Sequence, residues 1–328
     1  MAKSKKSPSK KPSANRSRAY NEVSHSGYSR AWKRANYPRP LIIGVAAALI
    51  LLIGLIGLFY WLNKTYTDPQ RVFWAMIDNN LATPGVTREV KQSSGSESII
   101  DISRLVFSPE PRVIDVQKRT QGSGLSANKL TLEGIGTPNN DYQHYSYIYQ
   151  PGAKPGQNYD EVYKLWLLNS QTGGSPNSGT LFNNAVFGMV LFGNLPPSER
   201  TKLVDYIKGH NVYKIDYSKV KDSSNSRRTY TYMASMSLRQ YAGAARLYAQ
   251  MAGLKKAAQI NPANYPPSAV LKLSLSVDAL SRQLTQVVNQ PSNLKIAYTS
   301  YGIAPEVKLP SKVVDAQTFQ KVLTTVLE

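Results

Sequence analysis

The chain has 328 residues, 40 Lys and Arg against 20 Asp and Glu, a net charge of +20 and no Cys. The missing thiols exclude disulfide staples, thiol catalysis and thiolate metal sites. The length allows a real hydrophobic core without staples, and the basic balance favours anionic surfaces such as lipid headgroups or wall polymers.

Residues 1–40 hold 11 Lys and Arg and a single acid, Glu22, with almost no aliphatic side chains. Such a segment cannot bury enough to fold alone. It reads as a solvated basic tail that fixes topology and touches anionic lipid, with no role in nucleic-acid binding. Leu41 to Leu62 follows as 22 residues without charge or proline. As a helix it is roughly 33 Å long, enough for a ~30 Å hydrocarbon core. It ends in Phe59, Tyr60 and Trp61, which suit an interfacial belt better than a signal-peptide cleavage site. Leu41, Leu52, Tyr60, Trp61 and Leu62 are expected to form a membrane anchor. With the basic flank inside, the expected layout is a disordered cytoplasmic tail (1–40), a single-pass transmembrane helix (41–63) and an extracytoplasmic α+β domain (64–328) in the cell membrane.

Beyond the anchor, Asp68-Pro69 is a helix start, and Val72, Phe73, Met76, Ile77 and Leu81 follow at helical spacing. Four stretches with strand character come next, Val86–Gln92, Ile99–Phe107, Arg112–Arg119 and Lys129–Gly134, separated by Gly, Ser and Pro turns. In "YQHYSYIYQ" the alternation puts Tyr145, Tyr147 and Tyr149 on one face. "TLFNNAVFGMVLFGNLP" predicts an apolar helix of about 15 residues, too short to span a membrane. Phe182, Val186, Met189 and Val190 share one side of it; burial against the sheet is the favoured reading, and the alternative is that they line an apolar ligand cavity. Ser198 is expected to cap a second helix ending at Gly209. Tyr213, Ile215 and Tyr217 alternate as a strand, as do Arg228, Tyr230, Tyr232 and Ala234. A helix is expected over Leu238–Gln259, with Tyr241, Ala245, Tyr248 and Met251 as its stripe. Three strands follow, around Leu271–Val277, Leu284–Asn289 and Leu294–Tyr301. Asp315 then caps a last helix through Phe319, Val322 and Leu323.

No catalytic constellation accompanies these elements. His25, His144 and His210 stand apart, so no metal and no cofactor is expected. Ser126-Ala127-Asn128-Lys129 fits the S-x-x-K nucleophile pattern, but the two companion elements of that mechanism are absent and the match enters a strand. The 21 Tyr against 7 Phe suit half-exposed strands of an antiparallel sheet.

The ending "LKLSLSVDALSRQLTQVV", then "YTSYGIAPEVKLP", then the capped "VVDAQTFQKVLTTVL", is similar to that of the LolA/LppX-type lipoprotein fold. Val277-Asp278, Tyr298, Tyr301-Gly302, Pro310 and the Asp315 helix carry the resemblance, and "DPQRVFWAMIDNNL" is similar to its start. The resemblance covers about 68–328. It implies a curved antiparallel sheet, a half-barrel, with helices on its concave face and a cavity for lipid or acyl chains, in the bacterial cell envelope. A transmembrane helix stands where that family carries a signal peptide or lipidated Cys. The expected function is therefore non-enzymatic binding of a lipid or other amphiphile, with membrane lipid as partner and a lipid or envelope polymer as ligand. The alternative is a structural or protein-interaction module of the envelope without a cavity.

Overall fold

The computed structural model describes residues 39–152, 158–170, 179–223 and 228–327. Residues 1–38, which hold most of the expected tail, lie outside them. The chain divides into two compact units, Met1–Ile56 and Gly57–Glu328. Helix α1 (Arg39–Thr67) crosses that division. The expected transmembrane, single-pass anchor is corrected here: among the described residues, no helix is long and apolar enough to cross a membrane. Within α1 Leu52, Tyr60, Trp61 and Leu62 are exposed; the side chain of Leu41 lies outside the described residues.

The second unit is α+β, with a large curved mixed sheet. Helix α2 (Pro69–Leu81) leads into a meander of β1 (Gly85–Ser94), β2 (Glu97–Val106), β3 (Arg112–Gln121), β4 (Asn128–Gly136) and β5 (Asn140–Tyr149). A short α3 (Asp160–Tyr163), β6 (Trp166–Ser170), α4 (Thr180–Val186) and α5 (Pro197–Gly209) follow. Then come β7 (Tyr213–Ile215), β8 (Lys221–Ser223), β9 (Thr229–Ser237) and α6 (Leu238–Met251). The chain closes with β10 (Val270–Asp278), β11 (Gln283–Asn289), β12 (Leu294–Thr299), β13 (Val313–Val314) and α7 (Ala316–Leu327). The sheet runs β13-β6-β5-β4-β3-β2-β1-β12-β11-β10-β9-β7, with β8 also on β9. Of these pairings only β13 with β6 is parallel.

Local chemistry explains most of these limits. Asp68 accepts from the Gln70 and Arg71 amides at 2.9 and 3.4 Å, and Pro69 occupies the first turn, where its missing N–H costs nothing. Asp315 does the same for α7 through the Thr318 amide at 2.7 Å. On β10, Leu273, Leu275 and Val277 are fully buried, which is the period of two expected of a strand with one covered face. Tyr241, Ala245 and Tyr248 of α6 pack into the same core as these residues.

Three expectations fail locally. First, β5 carries an extra residue. Leu132 lies opposite Tyr145 and Thr131 opposite Tyr147, so Ser146 is bulged out. A bulge resets the alternation, and Tyr145 faces away from Tyr147 and Tyr149. Second, α5 starts at Pro197 without a side-chain cap, so Ser198 lies inside the helix. Third, the apolar helix expected after Thr180 stops at Val186. In a continuing helix the Gly193 amide would bond the Met189 carbonyl. Instead Gly193 N donates to Asn80 O at 2.9 Å, and Tyr213 donates its hydroxyl to Met189 O at 2.9 Å. Residues 187–195 therefore run as irregular chain against the end of α2, where Leu195 N also meets Leu81 O. A Cβ on Gly193 would lie 2.7 Å from the Tyr248 ring, so the passage needs glycine.

Removing that hydroxyl strands a buried carbonyl. Tyr213→Phe is expected to lower the unfolding free energy by about 1–3 kcal/mol without changing the ring packing. Urea denaturation of the variant beside Leu273→Ala, a core truncation of about 2–5 kcal/mol, checks the scale.

Candidate ligand cavity

The inward-facing side chains of β1 alternate as Val86, Arg88 and Val90. The two valines are buried in the core, which places an arginine on the helix-covered face. Arg88 lies opposite Tyr298 of β12 on one side and Ser103 of β2 on the other. Ser103 in turn lies opposite Asp115 of β3. A polar row thus crosses the floor of an otherwise apolar face.

Beside Arg88 is a cavity of about 340 Å³. Met236, Leu271, Leu294 and Ile296 form its floor, Tyr241, Ala242 and Ala245 of α6 one wall, and Phe187, Gly188 and Met189 the other. Ile260 and Tyr265, from the chain after α6, stand at its side. The irregular passage after α4 makes the second wall possible, because a helix there would turn half of these residues away. Tyr241 holds it by donating its hydroxyl to the Gly188 carbonyl. Burial pushes the Tyr241 pKa well up, so the group stays a donor at neutral pH.

The polar row carries its own proton. Ser103 is 1% exposed, and its Oγ lies 2.9 Å from Asp101 Oδ1 and 2.8 Å from Asp115 Oδ1. One hydroxyl hydrogen serves only one of these oxygens, so the second contact is satisfied when a carboxyl is protonated. Burial, then the nearby Asp101 charge, raise the Asp115 pKa to about 7, against a weaker pull from Arg88. Asp141 of β5 serves the backbone instead. Its Oδ2 accepts from the Thr180 and Leu181 amides at 2.7 and 3.2 Å and seats the start of α4.

The residues expected to line a ligand site separate. Phe182, Val186 and Val190 are 1%, 0% and 1% exposed and sit in the core, while Met189 is partly buried and lines the cavity. Arg88, Tyr241, Leu271, Leu294 and Ile296 are not among the expected lining. Of these, Arg88 alone carries a readable signal, a charged residue at an inward position between two valines.

Elsewhere, Ser126 donates to the Ser123 carbonyl and Lys129 lies over the Tyr149 ring, so the S-x-x-K match does not assemble. His144 contacts Glu133 and Trp166, and His210 stacks on Tyr206. Among the described residues no cluster of three or more metal-ligating groups occurs. A second hollow, of about 360 Å³, lies between Ser108–Arg112 and residues 304–307; Arg112, paired with Glu110, reaches across it to the Val307 carbonyl. No family model matches this chain, and neither does any curated protein or solved structure.

Asp115 holds its proton more tightly in the folded chain than in the unfolded one, where carboxylates titrate near 4. Its contribution to stability is therefore full below about pH 4 and declines as the pH rises to about 7. Asp115→Asn is expected to match the wild type at pH 4 and to be the more stable of the two at pH 8. Denaturant unfolding of both proteins at the two pH values measures the difference.

Proposed function

We propose that this chain binds a lipid or another amphiphile in the cavity between α6 and the sheet and performs no chemistry on it. The observation that carries the reading is the hollow itself, whose lining is apolar apart from Arg88 and two tyrosine hydroxyls. Its volume falls at the small end of the ~300–1,000 Å³ usual for ligand pockets. Arg88 offers donors and no acceptor, and burial raises the Tyr241 pKa, so neither serves as a general base there. In this reading the curved sheet is a half-barrel and α2, α5 and α6 occupy its concave face, as the resemblance to the LolA/LppX-type fold implies. The ligand lies between them and the sheet.

Fluorescence titration of the full chain with an environment-sensitive fatty acid is expected to saturate at one probe per chain. Leu294→Trp, which fills the cavity from its floor, should weaken binding at least tenfold. No saturable binding, or equal binding by the variant, would leave a structural or interaction module as the better reading.

The same reading sets the cost of truncating the segment around α4. Phe182→Ala removes a core ring and should cost about 3–5 kcal/mol. Met189→Ala already borders open space, so it should cost under about 2 kcal/mol and change probe affinity instead. Thermal or urea unfolding alongside the titration separates the two outcomes.

A further inference from the structure

Among the cavity's lining residues Arg88 is the only charged one. Its surroundings leave it poorly served. The guanidinium Nε is fully buried and has no hydrogen-bond partner among the described residues. The one hydrogen bond of the group among the described residues is a long contact from Nη1 to Ser103 Oγ, at 3.5 Å. None of the ion pairs among the described residues includes it. The two nearby carboxylates do not compensate it directly, because Asp101 and Asp115 are both turned onto Ser103. Arg88 is only partly buried as a residue and lines the cavity, while its Nε is enclosed by protein. A guanidinium with one long hydrogen bond and no ion pair keeps Nη donors that a carboxylate takes through charge-assisted hydrogen bonds.

We infer that Arg88 is a head-group anchor, and that the cavity takes a single-chain amphiphile ending in a carboxylate, with its chain along Met189, Leu271, Leu294 and Ile296. The proposal rests on the amphiphile reading above and adds the charge, the end that enters first and the residue that holds it. The small volume favours one acyl chain over two. Charge selects between ligands of equal chain length: a long-chain alcohol fills the same space but leaves the guanidinium without an anion.

The test compares a fatty acid with the fatty alcohol of the same length, each displacing a neutral fluorescent amphiphile from the full chain at pH 6, where a free carboxylic acid is ionised and Asp115 keeps its proton. The acid is expected to bind at least tenfold tighter. Arg88→Gln should abolish that preference by weakening the acid tenfold to a hundredfold while the alcohol changes less than twofold. Arg88→Lys should retain part of the preference. The acid-to-alcohol ratio in the unaltered protein needs no variant, so misfolding of either variant leaves the result readable. Equal affinity of acid and alcohol overturns the anchor and leaves the cavity reading standing. Failure of both to displace the probe overturns the cavity reading, and the anchor with it. A preference that survives in Arg88→Gln places the anionic end elsewhere and overturns the anchor alone.

Discussion

A buried carbonyl needs a donor, and at five places in this fold, at helix ends, in irregular chain and on a strand, a tyrosine hydroxyl supplies it. Tyr230 and Tyr232 of β9 reach the carbonyls of Thr67 and Pro69, which lie where α1 gives way to α2. Tyr213 and Tyr241 take those of Met189 and Gly188, and Tyr301 takes that of Leu284. Burial raises the pKa of each of these phenols, so they remain donors through the physiological range. A phenylalanine would fill the same volume and leave an acceptor stranded in the core. The abundance of tyrosine over phenylalanine is thus a requirement of irregular chain packed against a sheet. On β5 the tyrosines also take the expected half-exposed strand positions, Tyr142 and Tyr145 partly buried and Tyr147 and Tyr149 exposed.

That requirement also shapes the cavity. The wall made by Phe187, Gly188 and Met189 exists because two tyrosines bind backbone that a helix would otherwise have used internally. Gly193 then passes against the Tyr248 ring, and the end of α2 accepts its amide. The hollow, the irregular passage and the tyrosines are therefore one feature, and loss of a single hydroxyl would be felt at the ligand wall before it was felt in the sheet.

Much of the architecture is legible in the sequence because it is local. Asp68-Pro69 and Asp315 are caps whose partners lie within three residues, and the alternation in β10 reports its buried face directly. What escapes is set by distant contacts. The stop of α4 depends on Tyr213 and Asn80, neither near it in sequence. The bulge at Ser146 is a matter of pairing with β4, and no pattern within β5 reveals it. The apolar stripe Phe182–Val186–Val190 is core, the favoured of its two readings, but the sequence does not separate them, because apolar periodicity looks the same whether a helix faces protein or cavity. Arg88 is the counterexample: a guanidinium among valines contradicts its own strand pattern, and the cavity lies beside it.

The sheet is also closed late in the chain. Its central seam pairs Thr87 with Thr299, and its far edge is finished only when Val313 joins Trp166. During synthesis the β1–β5 meander leaves the ribosome complete, with β1 open along the side that β12 will occupy. That open strand is a template for any other extended chain until β12 arrives. Contacts so remote in sequence make for slow closure. The interval between translating the meander and translating its seam partner is therefore the period in which this molecule most needs a chaperone, and a premature stop after β11 would leave the edge exposed for good.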